Sequence, residues 1–384
     1  RGAGLKTALR IRRIDCYLNQ NPFRMAFVSL HTERRSASGV LLRLETDTGT
    51  VGWGESTPRV YVSGETCEGV IALIEQRFAD KVFAARLESL AHLEVLLDDL
   101  EARTRVPEPV AATSALGAMD LALWDLWGQV QATPVHRFFV SEPLPLPPLS
   151  LSVPILPPEQ LRRFHPLAVG MGVSRFKLVL SADLKENLAR LSMLRDLVGQ
   201  GAVITIDANG KLTPDEVADM LPELRPYGIT ALEQPAEKSD LSGLLAARNA
   251  IDLPITLDES VCTLQEAQRA IELGLCDAIN LKISKCGGLH ATRKLHQTIQ
   301  QSGIACQLGS HVGESPVLAA AGQTAARILP ELRFMEIGST LLAPCPALQS
   351  TPPGGPTEHH GLGLTFSTSA VEAQFGPPVL TLHA

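Results

Sequence analysis

Long apolar runs are missing from this 384-residue chain, and no uninterrupted stretch is long enough to span a bilayer. The first residues, Arg1–Thr7, hold none of the apolar core of a secretory leader. No two of the seven cysteines (Cys16, Cys67, Cys262, Cys276, Cys286, Cys306 and Cys345) stand in C-x-x-C spacing, which argues against a zinc ribbon or a dithiol redox motif. Reduced, buried thiols in a cytoplasmic protein are the expectation. Positive charge is not in excess either. The net charge of −7 argues against a nucleic-acid partner, which would call for a basic surface. It leaves room for an anionic small substrate, because one local lysine pair or a cation overrides the global sign.

What is present is a period. A short apolar, β-branched run ends in a polar residue, a helix-like stretch follows, and the theme repeats. The runs are 149–153, 175–180, 203–208, 229–234, 254–259, 278–283, 304–309 and 333–338. Strands buried on both faces read as continuous apolar runs rather than as alternation. Helix starts stand between them: Thr213-Pro214-Asp215-Glu216 offers a cap, a proline at the first helical position and first-turn acids, and Thr263-Leu264-Gln265-Glu266 is a capping-box pattern. Eight such units predict an α/β fold of the (β/α)8, TIM-like barrel type. The competing open doubly wound sheet would usually carry a glycine-rich phosphate turn after its first strand, and none is found.

The first 142 residues read differently. Runs 38–45 and 51–55 flank the turn Asp47-Thr48-Gly49 as a hairpin. Helical patterns follow near 65–83, 87–103 and 111–129, and the prolines between 143 and 148 read as a linker. The expected organisation is an α+β domain over 1–142 and a barrel over 149–343. The segment 344–384 opens in a loop with Pro344, Pro346, Pro352, Pro353 and Pro356, then returns to the first domain.

Barrel enzymes keep their chemistry at the C-terminal ends of the strands. Three successive runs end in an acid, Asp207, Glu233 and Asp258, spaced 26 and 25 residues apart. Carboxylates converging on one mouth cannot all ionise without a counter-charge, and a hard divalent cation such as Mg2+ supplies one. The next run ends at Lys282, 24 residues on, where a nearby cation would lower its pKa and make it a general base. Lys285 reads as a snorkelling surface residue. Asn209 and Gln234, just past the acids, read as supporting or capping groups.

Asp207-Ala208-Asn209-Gly210, Glu233-Gln234-Pro235, Asp258-Glu259-Ser260 and Asn280-Leu281-Lys282, followed by Lys285-Cys286-Gly287-Gly288, closely resemble the enolase superfamily and its muconate-lactonizing (muconate cycloisomerase) subgroup. Val51-Gly52-Trp53-Gly54-Glu55 looks like the hairpin of that family's capping domain. The resemblance implies Mg2+ (with Mn2+ as a possible substitute) on Asp207, Glu233 and Asp258, a small carboxylate substrate bound to it, and a lysine moving the α-proton. It also implies a capping domain that reads the substrate through loops near 19–27 and 57–61, with Tyr61 and Asn209 as substrate contacts, and a homo-oligomer.

One departure stands out. The subgroup carries Lys-x-Lys on the second barrel strand, and this chain has Lys177-Leu178-Val179. Lys177 fits the first position, but Val179 cannot move a proton. The expectation is therefore a one-lysine, cycloisomerase-like isomerase or lyase. Its alternatives are a racemase or epimerase with a displaced second base, and a non-catalytic carboxylate binder. His311 and Glu336 resemble the histidine base and electrophilic acid of mandelate racemase relatives, and Glu314 is a weaker candidate.

Overall fold

The computed structural model describes residues 8–104, 112–337, 345–346, 348–349 and 359–384. Fourteen strands are described. A first group comprises β1 (Ile11–Asn19), β2 (Pro22–Val28), β3 (Glu33–Ser36), β4 (Gly39–Thr46) and β5 (Val51–Ser56). The barrel group comprises β6 (Leu149–Val153), β7 (Arg175–Val179), β8 (Val203–Asp207), β9 (Ile229–Glu233), β10 (Ile255–Leu257), β11 (Ala278–Leu281), β12 (Ala305–Leu308) and β13 (Leu332–Ile337), and β14 (Leu380–His383) ends the chain.

Strands β6 to β13 close into one barrel in sequence order, every described pairing being parallel. The eight apolar runs of the sequence are these strands: β6 has the bounds read, β13 begins one residue earlier, and the other six are one to three residues shorter than their runs. Their registers are what bring distant residues together: Asp207 lies opposite both Val179 and Glu233. Helices return the chain between strands; the capping box read at Thr263 is formed, and the N-cap read at Thr213 proves to be a full capping box as well, closed by Glu216.

The N-terminal residues form a four-stranded antiparallel sheet, β14-β1-β4-β5. The hairpin β4–β5 turns at Asp47–Gly49 as read from sequence. Its glycines have a packing reason. A Cβ on Gly54 would lie 1.9 Å from the carbonyl oxygen of Ala118, so only glycine lets the apolar helix Thr113–Val130 lie directly on β5. The helical pattern near 65–83 is broken into Cys67–Leu73 and Ala79–Ala84 by a π-turn at Ile74–Phe78.

Three strands of this sheet region went unread in the sequence: β1 and the small hairpin β2–β3. The segment 19–27, expected as a loop, is largely β2. The return of the tail is seen in β14, which pairs antiparallel with β1. Of the tail prolines, Pro344, Pro352, Pro353 and Pro356 lie outside the described residues, as do 1–7 and the junction at 343–344. All seven cysteines are free thiols, five of them buried. Among the described residues, no helix is long and apolar enough to cross a membrane.

Candidate active site

The acids and lysines read from the sequence meet at one end of the barrel. Asp207 and Glu233 end β8 and β9, and Asp258 and Lys282 follow β10 and β11 by one residue. All four are buried. Lys177, inward-facing on β7, lies at the centre of the cluster. Its Nζ is 2.6 Å from Glu233 Oε1, 2.8 Å from Glu336 Oε1 and 3.4 Å from Asp207 Oδ2. Glu233 is held further by Asn280 (2.9 Å) and by Gln307, whose amide donates to its other oxygen at 2.8 Å. These two amides sit on β11 and β12; Asn280 opens the motif Asn280-Leu281-Lys282 without having been given a role, and nothing in its sequence context marked Gln307.

Asp258 is flanked by two ammonium groups. Lys282 Nζ lies 2.5 Å from Oδ2, and Lys285 Nζ lies 3.0 Å from Oδ1. Lys285 is thus no snorkelling surface residue. It is fully buried and donates to the carbonyls of Asp258 and Val261 at 2.5 and 2.7 Å, pinning the loop after β10. Its position one turn past Lys282, where the chain folds inward before Gly287, was invisible to a reading that took the loop as exposed.

The charges explain the proton affinities. Burial pushes the Glu233 carboxyl up to about 8 against the pull of Lys177, with Asp207 and Asp258 adding to the rise. Burial likewise raises Asp207. Asp258 moves the other way: burial opposes its ionisation, but Lys282 and Lys285 hold it well below the usual carboxylate range. The lowered pKa expected of Lys282 belongs to the site with a cation beside it. Burial does pull it down, but Asp258 is its nearest charged neighbour and raises it well above the usual lysine value. Lys177 is raised in the same way by Glu233 and Glu336.

The donor set fits a hard divalent cation: three buried carboxylates on consecutive strands, two of them under strain to protonate. Their oxygens are turned toward lysines, which supply the counter-charge. Among the described residues, the cluster of three acid or imidazole groups whose ligand atoms all lie within 4.8 Å of one another is instead Asp98, Glu101 and His290, on the helices Leu90–Arg103 and Gly288–Gln301, with the Lys294 ammonium bridging the two acids.

His311 and Glu314 follow β12. His311 Nδ1 meets Ser284 Oγ at 2.9 Å, and its backbone N–H donates to Glu314 at 2.6 Å. Burial and the Lys282 ammonium keep the imidazole neutral. Because β12 adjoins β11, His311 stands on the Lys282 side of the mouth. Glu336 ends up against Lys177 and accepts from the Ser310 N–H at 3.3 Å. Asn209 and Gln234 both adopt positive φ, 49° and 42°, which turns the chain sharply after β8 and β9. Gln234 then bridges Ser260 and the Asp258 N–H. Gly309 leaves space for the lysine: a Cβ there would lie 2.9 Å from Lys282 Cε.

Above the acids lies a cleft of about 1060 Å3, partly continuous with solvent. The first domain roofs it with Tyr61 and with His31, a residue the sequence did not single out. The two rings stack at 3.9 Å, and His31 Nε2 bonds the Asn209 carbonyl at 2.8 Å. Val179 lines the cleft on β7, four strands from β11 in either direction around the barrel and so diametrically opposite Lys282.

Comparison with known proteins agrees with this arrangement. Residues 160–365 match the family described as enolase C-terminal domain-like, and residues 9–139 match the mandelate racemase / muconate lactonizing enzyme N-terminal domain. The chain belongs to the enolase superfamily. It is similar to the L-Ala-D/L-Glu epimerase of Clostridium acetobutylicum, with 29% identity over 80% of this chain and 83% of that one. It is also similar to the hydrophobic dipeptide epimerase of Enterococcus faecalis, with 26% identity over 83% and 87% of the two chains. The dipeptide epimerase structure from Enterococcus faecalis V583, complexed with Mg and the dipeptide L-Leu-L-Tyr, superposes with a TM-score of 0.79 at 24% identity, over 93% of this chain and 99% of that one. The N-succinyl Arg/Lys racemase structure from Bacillus cereus gives 0.85 at 23% identity, over 98% and 100%.

Proposed function

We propose that this chain is an isomerase that moves the proton on the carbon next to a small substrate's carboxylate. Lys282 is the acid/base, and Asp207, Glu233 and Asp258 are the seat of Mg2+, with Mn2+ as a substitute. The observation that carries the reading is the position of Lys282, at the cleft floor beside Asp258 and opposite Val179. When bound, the cation supplies a Lewis acid for the substrate carboxylate and a second claim on the charge of Asp258.

The remaining work belongs to the chain. Lys177, held by Glu233 and Glu336, presents a fixed positive charge to the substrate carboxylate. With a cation sharing the charge of Asp258, Lys282 would stand as the neutral amine, take the α-proton from the β11 side and return it. Lys285 keeps Asp258 in place while Lys282 changes its charge. Glu336 acts by orienting Lys177. His311, neutral and on the Lys282 side, orders the loop after β12. Tyr61 and Asn209 border the substrate space, Asn209 by anchoring His31. A homo-oligomer is part of this reading, and a cytoplasmic setting fits the seven free thiols.

A lysine on one face only supports a cycloisomerisation or a syn elimination. The epimerase activities of the relatives from Clostridium and Enterococcus support a second reading, inversion at the α-carbon, with a proton donor other than a β7 lysine on the far face. Proton NMR in deuterium oxide separates them, using single enantiomers of dipeptides and N-succinyl amino acids with Mg2+. Exchange with retention, or conversion to a cyclised or eliminated product, supports the one-lysine reaction. Rapid inversion by the wild type would replace it with epimerisation. Under the one-lysine reading, Val179→Lys should add inversion to any acid that already exchanges. Absence of exchange across the series, with Mg2+ bound, would sink the enzymatic reading.

A further inference from the structure

The cleft has two unlike halves. The ends of β8, β10, β11 and β13 contribute Asp207, Asp258, Lys282 and Glu336. The half centred on β6 and β7 is mostly apolar: beside Lys177 and Ser152 it presents Val179 from β7, Val153 from β6, and Leu156 and Leu161 from the segment that follows. Phe27 of β2 closes it from the first domain. The backbone N–H of Ile155 donates to the Val28 carbonyl at 2.8 Å, so the two domains are tied along this wall.

We infer that the substrate is a monocarboxylate whose reacting carbon carries, directly or through one neighbour, an uncharged apolar group lodged against the Val179 wall. The inference rests on the proton-transfer reading and narrows its substrate. A second carboxylate placed there would be desolvated without a partner. The lysines lining the cleft are Lys177 and Lys282, and both are committed, to Glu233 with Glu336 and to Asp258 respectively. No arginine lines it among the described residues, and Arg34 is set over the Tyr61 ring at 5.9 Å. An ammonium group on this wall fares no better. The acids nearest it in strand order are Asp207, opposite Val179 on β8, and Glu336, on β13 beside β6, and both already face the Lys177 ammonium. Where a lysine would put charge between the two halves, Val179 extends the apolar one. Apolar contact is the interaction this wall offers.

The test is calorimetric titration of the Mg2+-loaded full chain with four acids of similar reach: 3-phenylpropanoate, 4-methylpentanoate, glutarate and 5-aminopentanoate. The two apolar acids should bind at least tenfold more tightly than the other two. Leu156→Lys should erase that preference and raise glutarate affinity. Phe27→Ala, on the partly exposed hairpin, should weaken only the apolar acids, and it keeps the test open if Leu156→Lys fails to fold. Glutarate or 5-aminopentanoate binding as tightly as the apolar acids would overturn the inference. So would failure of all four acids to bind. Neither result touches the proton-transfer reading, which falls only if Lys282-dependent deuterium exchange is absent from every carboxylate tried.

Discussion

Two sets of buried acids divide the molecule. In the first domain, Glu55, Glu65, Asp120 and Asp125 are satisfied largely by backbone N–H groups. Glu55 accepts from Ser315 and Leu318, where the helix Pro316–Ile328 begins, and Asp120 accepts from Leu289 and His290, where Gly288–Gln301 begins. Glu65 takes the N–H groups of Ser114 and Ala115, and Asp125 those of Trp53 and Leu362. Glu55 and Asp120 thus meet barrel helix starts and staple the two domains, Glu65 meets the start of Thr113–Val130, and Asp125 ties β5 to the C-terminal segment. In the barrel mouth, Asp207, Glu233, Asp258 and Glu336 face lysine ammoniums instead. A backbone N–H cannot give up its proton or its place, whereas a lysine can do both. The partner, rather than burial or the acid itself, separates an acid that holds the fold from one poised for chemistry.

The comparison breaks if substitutions at the two sets have the same consequence. Lys282→Ala should have the largest effect on chemistry, a loss of roughly 10^2–10^4-fold in α-deuterium exchange, with the melting temperature nearly unchanged. Asp258→Ala should abolish saturable Mg2+ binding in a calorimetric titration while circular dichroism shows the fold retained. A variant that still binds the metal as tightly would move Asp258 to the structural set. Glu55→Ala should do the reverse of both: a stability loss of roughly 3–5 kcal/mol in urea, since it strands buried N–H groups and leaves a cavity.

The smallest effect is a pH dependence. Burial pushes the Asp120 carboxyl up to about 7 in the folded chain, against about 3.9 when unfolded. The folded state therefore binds this proton more tightly, so the contribution is full below about pH 4 and is lost as pH rises toward 7. Wild type should lose more melting temperature across that window than Asp120→Asn. Equal slopes would mean that the two N–H donors keep Asp120 ionised throughout.

The barrel was legible because its strands are buried on both faces and so leave unbroken apolar runs with acids at regular intervals. The hairpin was legible from Asp47-Thr48-Gly49. By contrast, β1 and β2 mix charge with apolar residues, as Ile11-Arg12-Arg13-Ile14 does, because each has an outer face, and β2 pairs only within a two-stranded sheet. Lys285 was misread for a related reason. Its loop looks like any polar connection, and only the backbone path after β11 carries it inward. The roles of the Asn280 and Gln307 amides could not be read, although Asn280 opens a quoted motif, since both act only across strands.

Local chemistry therefore determined which residues could hold a cation, move a proton or end a strand, because residue type and the 24- to 26-residue interval are written along the chain. Pairing was decided by closure of the barrel. Closure puts Lys177 among acids from three other strands, sets Val179 opposite Lys282, and turns His311 to the Lys282 side. Those relations join residues dozens of positions apart, and charge and burial act through the distances between them in space rather than along the sequence.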